Sequence, residues 1–173
     1  MKRATHENLD RLRGHVDKEY GKLVQKLLAV ALLEADAKNL VERSTQGIDL
    51  AFELATERYN FEVKTSESDS VSLSAKDIEG LDRLVADGDH VYIAVLMEGS
   101  LEDWVFSRYY PGELPTGKKL TSFSFRPHRD RELEARIRPH FDSVIDKHTI
   151  TAIQDRQSGM DKVLQSYPEW GRA

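Results

Sequence analysis

The sequence predicts an α/β fold in which a mixed central β-sheet is flanked by α-helices. Apolar residues recur at three- and four-residue steps from residue 5 to about residue 37, which is typical of helix. Two later segments, 47–54 and 59–64, alternate apolar and polar residues as half-buried strands do. The continuous apolar run at 91–97 indicates a strand that is buried on both faces.

Local signals place the connecting elements. The first helical region is expected to break near Gly14 or Gly21, and a strand follows it at 39–43. Further on, Ser74 and Asp77 have the spacing of a capping box, which predicts a helix before the long apolar strand. A helix that crosses between two strands implies that these strands pair in parallel.

The C-terminal part is predicted to be mainly helical. Residues 104–107 favour one more strand, after which the pattern changes. Helices are expected at 130–138 and at about 141–146, separated by Pro139, because proline disrupts a helix interior. The helical pattern at 150–164 is weaker.

The two alternating segments place charged side chains together. In the second segment Glu62 and Lys64 share the polar face, because strand side chains alternate with period two. In the first segment Asp49 lies on the face opposite the apolar residues. A short hairpin between the segments would bring Asp49 close to Glu62.

Such a pair of carboxylates favours a metal site. Two converging carboxylates repel each other, and burial raises the pKa of one of them unless a cation lies between them. Mg²⁺, with Mn²⁺ as a substitute, takes one or two carboxylates plus waters and phosphate oxygens. Asp49 and Glu62 can supply these ligands, with the Val63 carbonyl as a further one. Lys64 could orient or deprotonate a bound water and stabilise charge on a phosphate.

A second candidate region is a basic strip. Between residues 118 and 140 there are seven Lys or Arg residues against three acidic ones. Such a strip is typical of phosphate-backbone contacts, although a solvated helix face fits the same pattern. The candidate nucleic-acid contacts are Lys118, Lys119, Arg126, Arg129 and Arg131, together with Lys76 in the first turn of the helix after the capping box.

The amino-acid composition narrows the functional classes to which this protein can belong. The net charge of −5 argues mildly against nucleic-acid binding. The absence of cysteine excludes disulfides and thiolate zinc sites, and a cytoplasmic setting is expected. No apolar stretch has membrane-spanning length, and the charged start predicts no signal peptide. The length suits one domain.

The Gly-Ile-Asp-Leu segment at 47–50 and the Phe-Glu-Val-Lys-Thr segment at 61–65 resemble the PD-(D/E)xK nuclease superfamily. Within it, the chain most resembles archaeal Holliday junction resolvases and restriction-endonuclease-like proteins over residues 24–111. The spacing from Asp49 to Glu62, 62 − 49 = 13 residues, also suits those resolvases.

The resemblance implies a restriction-endonuclease-like fold in a single nuclease-like domain. Residues 1–23 would form an N-terminal helical arm, residues 24–111 the core, and residues 112–173 a basic loop with a C-terminal helical extension. It also implies a Mg²⁺-dependent DNA endonuclease, either junction-resolving or restriction-type, that acts as a homodimer.

The implied catalytic residues are Asp49, Glu62 and Lys64, completed by a residue of the first long helix. Resolvases of this type have glutamate there, and gapless matching of the strands places Gln25 at that position. Glu19 is the nearest acidic substitute on the helix. A neutral Gln25 leaves a second function open, that of a nuclease-fold domain that binds nucleic acid or a protein partner without cutting.

Overall fold

A computed structural model describes residues 1–43, 48–98 and 103–171. The helices are α1 (Arg3–Val16), α2 (Tyr20–Glu34), α3 (Ala75–Ala86), α4 (Ser122–Phe125), α5 (Arg131–Gln154) and α6 (Arg156–Gln165). The strands are β1 (Lys38–Glu42), β2 (Leu50–Leu54), β3 (Glu57–Ser66), β4 (Ser70–Val71), β5 (His90–Met97), β6 (Val105–Arg108) and β7 (Leu120–Thr121).

Five strands form the mixed central sheet that the sequence predicts, in the order β1-β2-β3-β5-β6. β3 and β5 are parallel and are joined by α3, which confirms the predicted crossover, while the other neighbours are antiparallel. β4 and β7 form a separate antiparallel ribbon. The two longest strands, β3 and β5, therefore lie side by side and parallel within the sheet.

The β2–β3 hairpin brings the two motif segments side by side, as predicted. Its register pairs Leu50 with Phe61 and Leu54 with Glu57, so the turn contains only two residues. Ala55 has a φ of 58°, a left-handed conformation that this tight turn requires. The first motif strand begins at Leu50, whereas residue 47, where the prediction began it, lies outside the described residues.

The sheet separates two apolar cores. On one face, Phe52, Phe61 and Phe106 pack with the helices α1, α2, α5 and α6. On the other face, Ile93 packs with Leu81 of α3 and with the β4–β7 ribbon. Because side chains alternate along β3, Glu62 and Lys64 lie on the α3 face of the sheet.

The N-terminal break lies where the sequence indicates it. Between α1 and α2 a 3₁₀ turn, Asp17–Glu19, changes the direction of the chain between the two glycines. α1 packs on α5, where Thr5 donates a hydrogen bond to Asp142 with an O···O distance of 2.5 Å. α1 and α5 are therefore joined in one core.

The prediction of two helices separated by Pro139 was wrong. α5 continues through Pro139 as far as Gln154, and the chain breaks only before α6. Proline removes one backbone donor from the helix. Ile137, Phe141 and Val144 are nevertheless fully buried on the same face, and their packing outweighs that loss.

Segments of the C-terminal half cover both outer strands of the sheet. Next to β1, the Leu40 amide donates to the Glu169 carbonyl at 2.9 Å, and the Gly171 amide donates to the Leu40 carbonyl at 2.8 Å. Next to β6, the Asp130 amide donates to the Phe106 carbonyl at 2.8 Å. None of the helices in the described ranges is long and apolar enough to cross a membrane.

Candidate active site

Glu62 and Lys64 lie next to each other on β3, as the strand pattern predicts. Glu62 is only 4% exposed, and its Oε1 atom is 2.7 Å from Lys64 Nζ. The same ammonium lies 2.9 Å from Asp77 Oδ2. Lys64 is therefore held between two carboxylates, one from its own strand and one from α3.

Asp77 owes its position to the capping box of α3. The Ser74 amide donates to Asp77 Oδ2 at 2.8 Å, and the Asp77 amide donates to Ser74 Oγ at 3.2 Å. The sequence singled out Asp77 only as a cap. The structure shows that one carboxylate both caps the helix and fixes Lys64.

Asp49 lies just before β2, beside the part of β3 that contains Val63. The Val63 amide donates to Asp49 Oδ2 at 2.9 Å, and the Asp49 amide donates to the Phe61 carbonyl at 2.9 Å. These two bonds hold the Asp49 carboxylate against β3 on the edge facing β2. The predicted approach of Asp49 to the Glu62 segment is thus present.

Burial and mutual repulsion change the acidity of the pair. Burial raises the pKa of Asp49 above its usual range, and the Val63 hydrogen bond only partly offsets this. Burial, followed by the nearby Asp49 charge, raises the pKa of Glu62 to about 7. A cation placed between the two groups would relieve this repulsion.

Lys64 remains a cation in this setting. Burial alone would lower the pKa of Lys64, but the charges and hydrogen bonds of Glu62 and Asp77 together raise it. An ammonium with a raised pKa is a hydrogen-bond donor and a poor base. The arrangement therefore favours charge stabilisation over proton abstraction as the chemistry open to Lys64.

α2 supplies a second set of polar side chains. Gln25 is buried, with 4% exposure; its Nε2 donates to Glu42 Oε1 at 3.0 Å, and its Oε1 accepts from Lys22 Nζ at 3.0 Å. Lys22 Nζ lies 3.3 Å from Glu42 Oε1 and 3.8 Å from Asp49 Oδ1. Gln25 thus lies one side chain away from Asp49, with Lys22 between them.

Glu42 is the centre of this second set. Besides its contacts with Lys22 and Gln25, its Oε2 atom is 2.9 Å from Lys26 Nζ, which also lies 2.6 Å from Asp161 Oδ1 of α6. Lys22, Gln25 and Lys26 follow one another at helical spacing, so one face of α2 carries all three.

Glu19 lies elsewhere. It belongs to the 3₁₀ turn before α2, and its Oε2 atom accepts a hydrogen bond from Gln157 of α6 at 3.5 Å. Of the two candidates for completing the site, the structure therefore brings Gln25 towards Asp49 and directs Glu19 towards the C-terminal helices.

We refer to Glu62, Lys64 and Asp77 as the β3 side of the site, and to Lys22, Gln25 and Glu42 as the α2 side. Sequence reasoning missed Lys22 and Glu42. The spacing of Lys22 from Gln25 on one helix could have indicated the first. A glutamate near the end of the strand predicted at 39–43 was a weaker signal for the second.

Hard oxygen ligands are available between these two sides. Asp49 and Glu62 could hold a divalent cation, with the Val63 carbonyl as the predicted further ligand. Within the described ranges no cluster of three or more His, Asp or Glu side chains has the arrangement of a metal site. Two carboxylates are sufficient for Mg²⁺, which keeps several waters. Burial and the Asp49 charge raise the pKa of Glu62 despite the Lys64 ammonium beside it.

The predicted nucleic-acid contacts fall into two groups. Lys76, Lys118, Lys119 and Arg126 are exposed. Arg126 lies over the ring of Phe123, 5.0 Å from its centroid, and Phe123 is itself 71% exposed. These residues are accessible to a large ligand.

Arginines further along the strip form ion pairs with carboxylates of the protein. The Arg129 side chain is 9% exposed, with its Nε atom 2.6 Å from Glu134 Oε1, and Arg131 lies 3.7 Å from the same carboxylate. Arg138 is 2.7 Å from Asp103. Arg129 would have to leave Glu134 to reach a phosphate, whereas the exposed Arg131 would not.

The chain matches no family model and no curated protein. Among solved structures it is similar to Hjc from the archaeal hyperthermophile Archaeoglobus fulgidus, a Holliday junction resolvase, with a TM-score of 0.51 and 19% sequence identity. The chain has a restriction-endonuclease-like fold. The match covers 66% of this chain and 95% of the resolvase, so nearly all of the resolvase has a counterpart in this chain.

Proposed function

We propose that the protein is a Mg²⁺-dependent DNA endonuclease that hydrolyses phosphodiester bonds, of junction-resolving or restriction type. The observation that carries this proposal is the buried Glu62 beside Asp49, with Lys64 at 2.7 Å on the same strand face. Buried charges that are held together against repulsion are typical of catalytic sites. The fold shared with a resolvase supports the same class of reaction.

Each residue then has a distinct role. Asp49 and Glu62 would hold Mg²⁺ or Mn²⁺, with the Val63 carbonyl as a further ligand. The bound ion would act as a Lewis acid and lower the pKa of a bound water. Lys64 would donate to the phosphate under attack and offset its growing negative charge. Asp77 is a positioning residue, because it fixes the Lys64 ammonium.

DNA is the proposed substrate, and a homodimer is the proposed working form, because two strands must be cut at a junction or at a duplex site. A two-fold dimer places two equal sites against two strands. Sedimentation of the protein, alone and with DNA, tests this part of the proposal. A monomer that cuts both strands would contradict it.

The activity is tested by incubating the protein with four-way junction, duplex and single-stranded DNA, each with Mg²⁺, Mn²⁺ or EDTA. We expect cleavage of at least one substrate with either metal and none with EDTA. Glu62→Gln and Asp49→Asn should remove the cleavage while circular dichroism shows an unchanged fold. Cleavage that persists in both variants would place the active site elsewhere.

A second function is favoured by the α2 side. The Lys22 ammonium, 3.8 Å from Asp49 Oδ1, supplies a positive charge where a catalytic site would use a metal. Gln25 adds no charge. A nuclease-fold domain that binds DNA or a protein partner without cutting would have this arrangement. DNA binding that is independent of divalent metal, with no cleavage of any substrate, would support it.

A further inference from the structure

A polar pocket of about 360 Å³ adjoins the candidate active site. It shares Lys64 with that site, and Lys119 lines it from the β4–β7 ribbon. Ser66, Ser68, Ser70 and Ser72 supply hydroxyl groups to its wall. None of the described residues that line it is acidic.

The ribbon determines where Lys119 lies. β4 and β7 pair Ser70 with Thr121 and Val71 with Leu120. Continuing this antiparallel register places Lys119 opposite Ser72, so the lysine reaches the serine segment from the other strand. Lys119 comes from a part of the chain beyond residue 111, where the sequence resemblance ends.

The serine segment has a defined shape. The Ser68 amide donates to Ser66 Oγ at 3.1 Å, and the Ser70 amide donates to Ser68 Oγ at 3.3 Å. Glu67, an acidic residue of this segment, pairs with Arg13 at 3.3 Å instead of lining the pocket. Asp69, the other acidic residue of this segment, does not line the pocket either. The lining therefore presents hydroxyl groups with no carboxylate among them.

This lining suits an anion with several oxygen atoms. Lys119 is exposed and makes no ion pair with any described residue, in contrast to Lys64. The Ser68 hydroxyl donates to the Ser70 carbonyl at 3.1 Å, so the donors left for a phosphate are the two ammonium groups and the remaining serine hydroxyls. An exposed lysine loses little hydration when it binds a phosphate. Inorganic anions and nucleic-acid phosphates share this chemistry.

We propose that the pocket binds the DNA phosphodiester next to the one that Lys64 contacts. The inference rests on the proposed function, because it takes DNA as the substrate. Since Lys64 borders both spaces, a strand that places one phosphate at the site has its neighbour within reach of Lys119. The pocket would thereby fix the path of the strand across the β4–β7 ribbon.

The test is a double-mutant cycle between Lys119 and single phosphates. Oligonucleotides with one neutral methylphosphonate at successive positions are bound, in the absence of divalent metal, to the wild type and to Lys119→Ala. Lys118→Ala is the matched control, because Lys118 is an exposed lysine next in sequence that does not line the pocket. Fluorescence anisotropy gives the affinities.

We expect Lys119→Ala to weaken binding about fivefold and to reduce the salt slope by about 0.9, as the loss of one phosphate contact requires. One methylphosphonate position should weaken the wild type to the same extent and leave Lys119→Ala unaffected. Lys118→Ala should show no coupling to that phosphate, whichever other phosphate Lys118 contacts. Additive effects at every position, or equal coupling for both lysines, would overturn the pocket assignment.

The outcomes separate the two proposals. Cleavage by the wild type without coupling at Lys119 removes the pocket and leaves the nuclease function intact. Coupling at Lys119 without cleavage of any substrate removes the nuclease function and retains the pocket. Inorganic phosphate that displaces DNA equally well from the wild-type protein and from Lys119→Ala would also count against the pocket. A wild type that binds no DNA contradicts both.

Discussion

The two sides of the candidate site use similar residues in different ways. On the β3 side one ammonium, that of Lys64, lies between two carboxylates, and the pKa of Glu62 is raised to about 7. On the α2 side Glu42 contacts two lysines and Gln25. On the β3 side the Glu62 carboxylate is still repelled by Asp49, and a metal ion could relieve this repulsion. On the α2 side the Glu42 carboxylate is already paired with lysines.

We infer from this difference that the balance of charges is a better guide to function than their presence alone. On the α2 side the Glu42 carboxylate already has lysine partners, and one of them, Lys26, links it to Asp161 and so to α6. Breaking such a network chiefly affects stability. Changes on the β3 side should instead affect chemistry, and the following predictions test that contrast.

The largest effect is expected from Glu62→Gln. Cleavage should fall at least about 100-fold, because a metal ligand is lost. The metal-free variant should melt at a higher temperature than the wild type at pH 8, since a buried carboxylate that repels Asp49 has become neutral. Initial rates and differential scanning calorimetry measure the two effects. A lower melting temperature at pH 8 would mean that Glu62 stabilises the fold.

Lys64→Met should be the next most severe change. We expect cleavage to fall about 100-fold, the usual cost of losing one charge-stabilising donor. Affinity for Mn²⁺, followed by titration calorimetry, should be unchanged or tighter, because a competing cation has been removed from Glu62. A large loss of Mn²⁺ affinity together with the loss of cleavage would instead assign Lys64 to the metal site.

The pH dependence follows from the raised pKa of Glu62, whose usual value is 4.5 and whose folded value is about 7. The protonated form favours folding, so this contribution to stability is complete below pH 4.5 and is lost as the pH rises to about 7. Metal binding needs the ionised form. Mn²⁺ affinity should therefore fall up to about tenfold per unit below pH 7.

Melting temperatures and Mn²⁺ titrations at several pH values test this opposition. In Glu62→Gln the stability change between pH 4.5 and 7 should be reduced. An identical pH profile in that variant would assign the titration to another group.

The smallest effects are expected on the α2 side. Gln25→Glu should tighten Mn²⁺ binding up to about tenfold by adding a carboxylate, and should lower metal-free stability, because residue 25 would then face Glu42. Lys22→Met should act in the same two directions by removing the ammonium near Asp49. Isothermal titration and thermal melting measure both quantities.

Two controls separate local from general charge effects. Glu19→Gln changes an acidic residue that contacts Gln157, and Lys18→Met removes an exposed lysine from the same turn. Neither should alter Mn²⁺ affinity by more than about twofold. Cleavage lost through Glu19→Gln, with no response to Gln25→Glu, would mean that Glu19 completes the site.

Sequence alone was sufficient where structure is local. The alternation along β2 and β3 and the capping box at Ser74 depend on neighbours a few residues apart, and each is present in the structure. The contact of Lys64 with Asp77 joins a strand to the helix that follows it. The periodic pattern of apolar and polar residues does not indicate a contact between two elements, so the role of Asp77 could not be predicted.

The failures concern contacts between distant parts of the chain. α5 runs through Pro139 because its buried face packs on α1 and α2, which a local rule for proline does not include. Glu42 acquires its place only when β1 lies beside β2 and α2 packs across them. The basic strip was one segment in sequence, but the buried pair of Arg129 with Glu134 divides it in space.

The backbone bonds at Leu40 also bear on the solubility of shortened chains. An unpaired outer strand can recruit the same strand of another molecule and so start aggregation. Here residues 169–171 take up the Leu40 amide and carbonyl. A protein cut back to α6 would present that position of β1 to its neighbours, even if the residues of the candidate active site were undisturbed. Loss of the last few residues would then appear as precipitation, and an activity assay could mistake it for a catalytic defect.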